Sequence, residues 1–206
     1  DKTVRFRRLD LVREELAYFL KAEVPQVKFV DRTFNCSRSH AMGIWQYLLE
    51  HDNGITNFHF EIEAELLDED ELALLSRMRP GLVKLEIGVQ STNEKTLAAV
   101  HRSTKFETLA WAVGELSKTH NIHLHLDLIA GLPLEDYESF GRSFDQVYGL
   151  RPQELQLGFL KVLKGAGMYQ DAERYGIVYR KRPVYEVLFT PWLSYDEILR
   201  LKGVEE

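Results

Sequence analysis

A single cysteine, Cys36, stands among 206 residues. One thiol cannot close an internal disulfide, so a disulfide scaffold is excluded and a reducing, cytoplasmic setting is expected. One thiol alone also cannot build a cysteine-based metal centre. Six prolines and 13 glycines leave no room for a collagen-like repeat or a proline-rich linker. No apolar run approaches the roughly 18–20 residues of a membrane span. The opening residues, Asp1-Lys2-Thr3-Val4-Arg5, carry no apolar signal core. They also lack an initiator methionine, so the sequence is expected to begin inside a longer chain. Positive charge is in deficit, with 26 Lys and Arg against 32 Asp and Glu. The net charge of −6 gives no reason to expect a nucleic-acid partner. The phosphate-loop, dinucleotide, nucleophile-elbow and HExxH patterns are all missing.

What is present is an ordinary globular balance, 45% hydrophobic and 28% charged. Short runs rich in β-branched residues alternate with amphipathic helical stretches. The strands are expected at Val27–Asp31, Asn57–Glu61, Val83–Gly88, Ile122–Ile129 and Glu154–Phe159. Helical spacing groups Leu9, Val12, Leu16, Phe19 and Leu20, then Ala41, Ile44, Trp45, Leu48 and Leu49. It recurs from Phe106 to Leu116 and from Tyr137 to Val147. Asp68-x-x-Glu71, Ser91-x-x-Glu94, Thr104-x-x-Glu107 and Ser194-x-x-Glu197 read as helix-starting capping boxes. This alternation predicts an α/β fold of parallel strands joined by crossovers. Nothing reads as a linker, so 1–206 is taken as one domain. It has core βα units to about residue 164 and a less regular C-terminal extension over about 165–206.

In parallel α/β sheets, functional groups gather where strands end and helices begin. Those ends hold Asp31 to Asn35, Glu61 and Glu63, Gln90 and Ser91, Asp127 and Gly131, and Lys161. A period of two puts His59, Glu61 and Glu63 on one strand face. It does the same for Lys84, Glu86 and Gly88, and for His123, His125 and Asp127. Facing inward, these groups would line a polar cavity for a charged small molecule; facing outward, they would be solvated. Buried without partners they cost several kcal/mol. The histidines by themselves are a weak metal signal, because a His-x-His pair on one strand has no fixed third ligand. Ser91 also reads as a plain N-cap, and Gly131 as a turn glycine.

Two strings go further than generic α/β. Val83-Lys84-Leu85-Glu86-Ile87-Gly88-Val89-Gln90-Ser91, trailed by Val100-His101-Arg102, resembles the fourth-strand segment of radical S-adenosylmethionine enzymes. Leu126-Asp127-Leu128-Ile129-Ala130-Gly131-Leu132-Pro133 resembles the family's fifth-strand segment. Their order and separation also agree with the family. Val27–Asn35 and Phe58–Leu67 resemble the second and third strands of its cobalamin-binding branch. The resemblance runs from about Arg5 to about Lys164. It implies a partial (β/α) barrel with the active site at the strand carboxyl ends. The family's CxxxCxxC cluster loop follows its first strand. Neither that strand nor that loop is found here, and Cys36 lies after the second strand in the family's order.

The resemblance carries roles over residue by residue. Asp31 falls where the family meets the methionine ammonium, although Asp31-Arg32-Thr33 lacks the two glycines usual there. Glu61 or Glu63 would add an acid near the cofactor. Gln90 or Ser91 would approach the ribose or the carboxylate, and Arg102 would pair with the methionine carboxylate. Backbone at Ile129 and Gly131 would lie against adenine. The implied parent cleaves S-adenosylmethionine with a 4Fe–4S cluster to start radical chemistry, with cobalamin as an optional further cofactor. The 206 residues alone are expected to be inactive. The implied partners are a small-molecule substrate or cofactor, with no nucleic acid and no membrane. Self-association is expected through the strand edge that a missing first strand would expose. The competing readings are a non-radical barrel lyase or aldolase using Glu61 and His125, with Lys84 or Lys161 as a Schiff base, and a non-catalytic binding scaffold.

Overall fold

The computed structural model describes residues 4–205. Strand β3 (Val83–Gln90) shows the cleanest alternation. Val83, Leu85, Ile87 and Val89 are buried, while Lys84, Glu86, Gly88 and Gln90 are half-buried. With β1 (Gln26–Lys28), β2 (Asn57–Ile62), β4 (His123–Ala130) and β5 (Glu154–Phe159) it forms a sheet of order β1-β2-β3-β4-β5. The first two pairings are parallel, with Val27 opposite Phe58 and Glu61 opposite Glu86. Parallel neighbours need a crossover. Helices α2 (Arg38–Glu50) and α3 (Glu69–Leu75) supply the crossovers into β2 and β3. All five strands fall within a few residues of the positions expected from the sequence.

The chain divides into two compact units. The first comprises residues 4–88 and 108–125. In it, α1 (Leu9–Lys21) buries Val12, Leu16 and Leu20, and α2 buries Ala41, Ile44, Trp45 and Leu48. Phe34, Trp45, Phe58 and Phe60 are almost fully inaccessible. Phe60 anchors this aromatic core, with ring centroids 4.4 Å from Phe34 and 4.7 Å from Phe29. Truncating such a residue to alanine costs about 3–5 kcal/mol. Asp68 and Glu71 make both halves of a capping box at α3. Arg79 grips Asp52 through two nitrogens, at 2.7 and 3.1 Å, and so holds the loop before β2. The buried Asn121 amide donates to the carbonyls of Leu75 and Met78, closing the C-terminal end of α3. Helix α5 (Phe106–Ser117) lies mostly in this unit.

Strand β1 stops at Lys28, three residues short of the expected end. Val30 is 93% exposed and Asp31 is exposed, so the chain has no packing to keep it extended there. Beside β1 runs a groove of about 660 Å³, lined by the segment from Val4 to Arg7, α1, β1 and the start of α2.

The second unit holds residues 89–107 and 126–205 of the described chain. Asn93 caps α4 (Glu94–Ala99), and Asp136 caps α6 (Tyr137–Tyr148). The extension continues through α7 (Gly167–Asp171) and an antiparallel pair, β6 (Val178–Tyr179) and β7 (Val187–Phe189). It ends in α8 (Tyr195–Glu205), started by Ser194 and Glu197 as expected. The Val187 amide donates to Leu160 at 2.8 Å, and Val162 donates to Tyr185 at 2.9 Å. These bonds fasten the extension to the chain leaving β5. Gly131 adopts φ +87°, and a Cβ there would lie 2.7 Å from Val187. Both the left-handed backbone and the close approach exclude other residues. Among the described residues no helix is long and apolar enough to cross a membrane.

Candidate functional site

The expected residues are distributed over both units. Asp31, Glu61 and Glu63 belong to the first; Gln90, Ser91, Arg102, Ile129 and Gly131 belong to the second. In the first unit, Asp31 is exposed on the loop after β1. Glu61 is half-buried near the end of β2. Glu63 falls one residue past that strand, so the expected three-residue face ends at Glu61. Its carboxylate accepts from the Thr33 hydroxyl at 3.1 Å. Its amide and carbonyl pair with the Asn35 side chain at 3.0 and 2.9 Å. Glu63 therefore fastens the loop after β1, which positions Asp31.

The polar strand faces do converge. His59, Glu86 and His125, from three neighbouring strands, bring their ligating atoms within 4.8 Å of one another. Glu86 Oε2 lies 2.8 Å from His59 Nε2 and 2.8 Å from Lys28 Nζ. Burial pushes His59 below the ordinary imidazole range, and the Lys28 charge adds to this. Burial alone would raise Glu86, but the Lys28 hydrogen bond and charge outweigh it and hold the carboxyl low. A neutral imidazole thus sits beside an ionised acid. The alternation had grouped these residues by strand; which of them meet across strands depends on register, which the sequence did not show.

In the second unit, Gln90 and Arg102 line one cavity of about 340 Å³ together with Leu132, Leu160 and Met168. Gln90 has φ +69°, a strained conformation for a residue with a side chain. Helix α4 explains the position of Arg102. Its amide donates to Leu97 at 2.8 Å and His101 turns at φ +59°, so the chain folds back at the helix end. Ile129 is half-buried on β4. The close approach at Gly131 is to Val187.

Ser91 is buried and does not cap α4; Asn93 does, accepting from the Lys95 amide at 3.0 Å. Ser91 instead accepts from the Asn93 amide and donates to Glu135 at 2.5 Å. Ser143 donates to the same Glu135 oxygen at 3.3 Å. Glu135 is 1% exposed, and its other oxygen is buried with no hydrogen-bond partner. Burial raises its pKa to about 7, against the lowering effect of the two hydroxyls. Nothing local marks this acid, because Glu135 and Asp136 are adjacent and only folding decides which one caps the helix.

Cys36 is exposed and is the chain's one thiol. A 4Fe–4S cluster needs cysteine thiolates in number. These residues therefore do not fit cluster ligation.

Comparison with known proteins gives a consistent picture. The anaerobic coproporphyrinogen III oxidase 1 of Cereibacter sphaeroides is 31% identical over 101 residues, 48% of this chain and 22% of that protein. An uncharacterized Bacillus subtilis protein, YtqA, is 31% identical over 90 residues, 44% of this chain and 28% of that protein. The chain thus matches about a quarter of these curated relatives. Among solved structures, the radical S-adenosylmethionine methyltransferase TsrM from Kitasatospora setae, with cobalamin and a 4Fe–4S cluster bound, aligns at TM-score 0.76 and 15% identity. The alignment covers 97% of this chain and 47% of TsrM. The Escherichia coli coproporphyrinogen III oxidase HemN, described as a radical SAM enzyme, aligns at 0.65 and 19% identity, covering 98% and 47%. These likenesses show the fold, a partial (β/α) barrel of the radical SAM type. Residues 173–206 match a family described as a protein of unknown function, DUF4080. In fold the chain is thus similar to radical S-adenosylmethionine enzymes, and over about half its length it is similar in sequence to coproporphyrinogen III oxidases.

Proposed function

We propose that this chain is the S-adenosylmethionine-binding part of a radical enzyme whose 4Fe–4S cluster is ligated by residues outside the 206. The observation that carries the reading is the cavity shared by Gln90 and Arg102. These two residues come from the end of β3 and from the turn after α4, the stretch whose sequence resembles the family's fourth-strand segment. A guanidinium offers a forked pair of donors that matches a carboxylate. The Gln90 amide offers both a donor and an acceptor. Arg102 is assigned to the methionine carboxylate and Gln90 to the polar part of the same ligand. The cluster would supply the electron for reductive cleavage when bound; this chain's residues hold and orient the ligand. Cobalamin is a further cofactor on the proposed reading, supported by the likeness to TsrM.

The open side of β1 is assigned to the strand that carries the cluster loop, with the adjoining groove of about 660 Å³ as its seat. Until that strand is present, the same edge is available for self-association.

Titration of the 206-residue chain with S-adenosylmethionine tests the assignment. Saturable binding is expected, with Arg102→Ala weakening it at least tenfold. Equal affinity of wild type and variant would refute it. Anaerobic incubation with iron and sulfide is expected to leave the chain without a stoichiometric 4Fe–4S chromophore; its appearance would refute the external cluster.

A further inference from the structure

The geometry points to a second site, independent of the S-adenosylmethionine reading. We infer that His59, Glu86 and His125 bind one divalent first-row transition metal through two imidazoles and one carboxylate.

Three observations combine. The donor set suits such an ion, since two imidazoles and a carboxylate leave an open position for water or a ligand. The donors stand on β2, β3 and β4, so backbone pairing rather than loop conformation fixes their spacing. The spacing itself is close to what a metal needs. Metal–ligand bonds of about 2.0–2.2 Å put tetrahedral donors about 3.3 Å apart. The present separations, 2.8 Å between His59 and Glu86 and at most 4.8 Å within the trio, bracket that value. Side-chain movement of roughly 1 Å completes the site, within ordinary rotamer freedom.

Lys28 fits the scheme as an outer partner. It now shares Glu86 Oε2 with His59. A metal needs only one carboxylate oxygen, which leaves the other for Lys28. Carboxylate ligands commonly carry such a second hydrogen bond, which orients them. Burial adds weight: His59 is 7% exposed and His125 is 5% exposed. Polar side chains placed so deep on a sheet cost stability relative to valine or leucine, and neither the Gln90–Arg102 cavity nor the proposed external cluster uses them.

The test uses the untagged 206-residue chain carrying Cys36→Ser, which removes the exposed thiol as a competing ligand. Zn²⁺ titration is expected to saturate at one equivalent and to raise the melting temperature by mass action. Co²⁺ is expected to give visible ligand-field bands that Zn²⁺ abolishes. His59→Gln, Glu86→Gln and His125→Gln should each weaken binding at least tenfold, while His101→Gln leaves it unchanged. Far-ultraviolet circular dichroism checks folding. If His125→Gln fails to fold, the other two variants decide. Absence of saturable uptake, or wild-type affinity in folded His59→Gln and Glu86→Gln, would overturn the inference.

Discussion

Two glutamates, one in each unit, are pushed in opposite directions by their surroundings. Glu86 has a lysine and an imidazole at 2.8 Å and is held ionised. Glu135 has only two serine hydroxyls and is driven toward its neutral form, with a pKa of about 7. Glu86 lies on β3 and Glu135 on the loop between β4 and α6, and burial pushes both upward. The difference lies in whether a cation accompanies the acid. Hydroxyls donate hydrogen bonds but bring no net charge, so they offset only part of the cost of burial. The two regions should therefore respond oppositely to pH. The unit holding Glu86 loses stability as pH falls, because its depressed acid and its neutral histidine both favour the less protonated form. The unit holding Glu135 loses stability as pH rises, because its raised acid favours the proton.

The sharpest way to break this contrast is Glu135→Gln. Folded wild type keeps a proton on Glu135 between its ordinary value of 4.5 and about 7, where the unfolded chain does not. The penalty is absent below pH 4.5 and complete above pH 7. The variant should match wild type near pH 4 and exceed it at pH 8 by up to about 3 kcal/mol in urea unfolding. Identical slopes of stability against pH in the two proteins would remove Glu135 from the account. A smaller effect is expected from Glu86→Gln, which leaves Lys28 and His59 without their acid. A loss of about 1–2 kcal/mol at pH 7 should appear, shrinking as the solution is acidified. The smallest is Lys28→Ala. Lys28 is 48% exposed, so stability should change by less than about 1 kcal/mol. Nuclear magnetic resonance titration should instead show His59 and Glu86 both moving up, since one cation depressed both. An unmoved His59 would mean that burial and Lys84, without Lys28, lower it.

The sequence was most legible where a pattern repeats. Short β-branched runs located β2, β3 and β4 to within two residues, and helical spacing did the same for α1, α2 and α6, although only β3 alternates cleanly, since β2 and β4 bury residues on both faces. It was least legible where partners come from distant segments. Nothing local distinguishes Ser91 as a cap from Ser91 as a donor to Glu135, 44 positions away. Asn93 takes the cap because the chain turns two residues later than the Ser-x-x-Glu spacing suggests. His59, Glu86 and His125 were each visible as polar residues on strand faces that could point inward or outward, but their meeting depends on strand register. Glu63 looked like a strand residue because it continues the alternation, yet Asn35 captures its backbone and ends the face.

The crowding at Gly131 has an architectural implication. One methyl group at that position would collide with Val187 and push β7 outward, taking with it the bond from Val187 to Leu160. Gly131 is thus a keyhole for the C-terminal tail as well as the turn that follows β4. A chain shortened before β6 would leave that keyhole empty and the Leu160 carbonyl without its bond from Val187. The last thirty-odd residues, the stretch matched to DUF4080, behave on this view as a stopper fitted to the barrel wall rather than as a dispensable trailer.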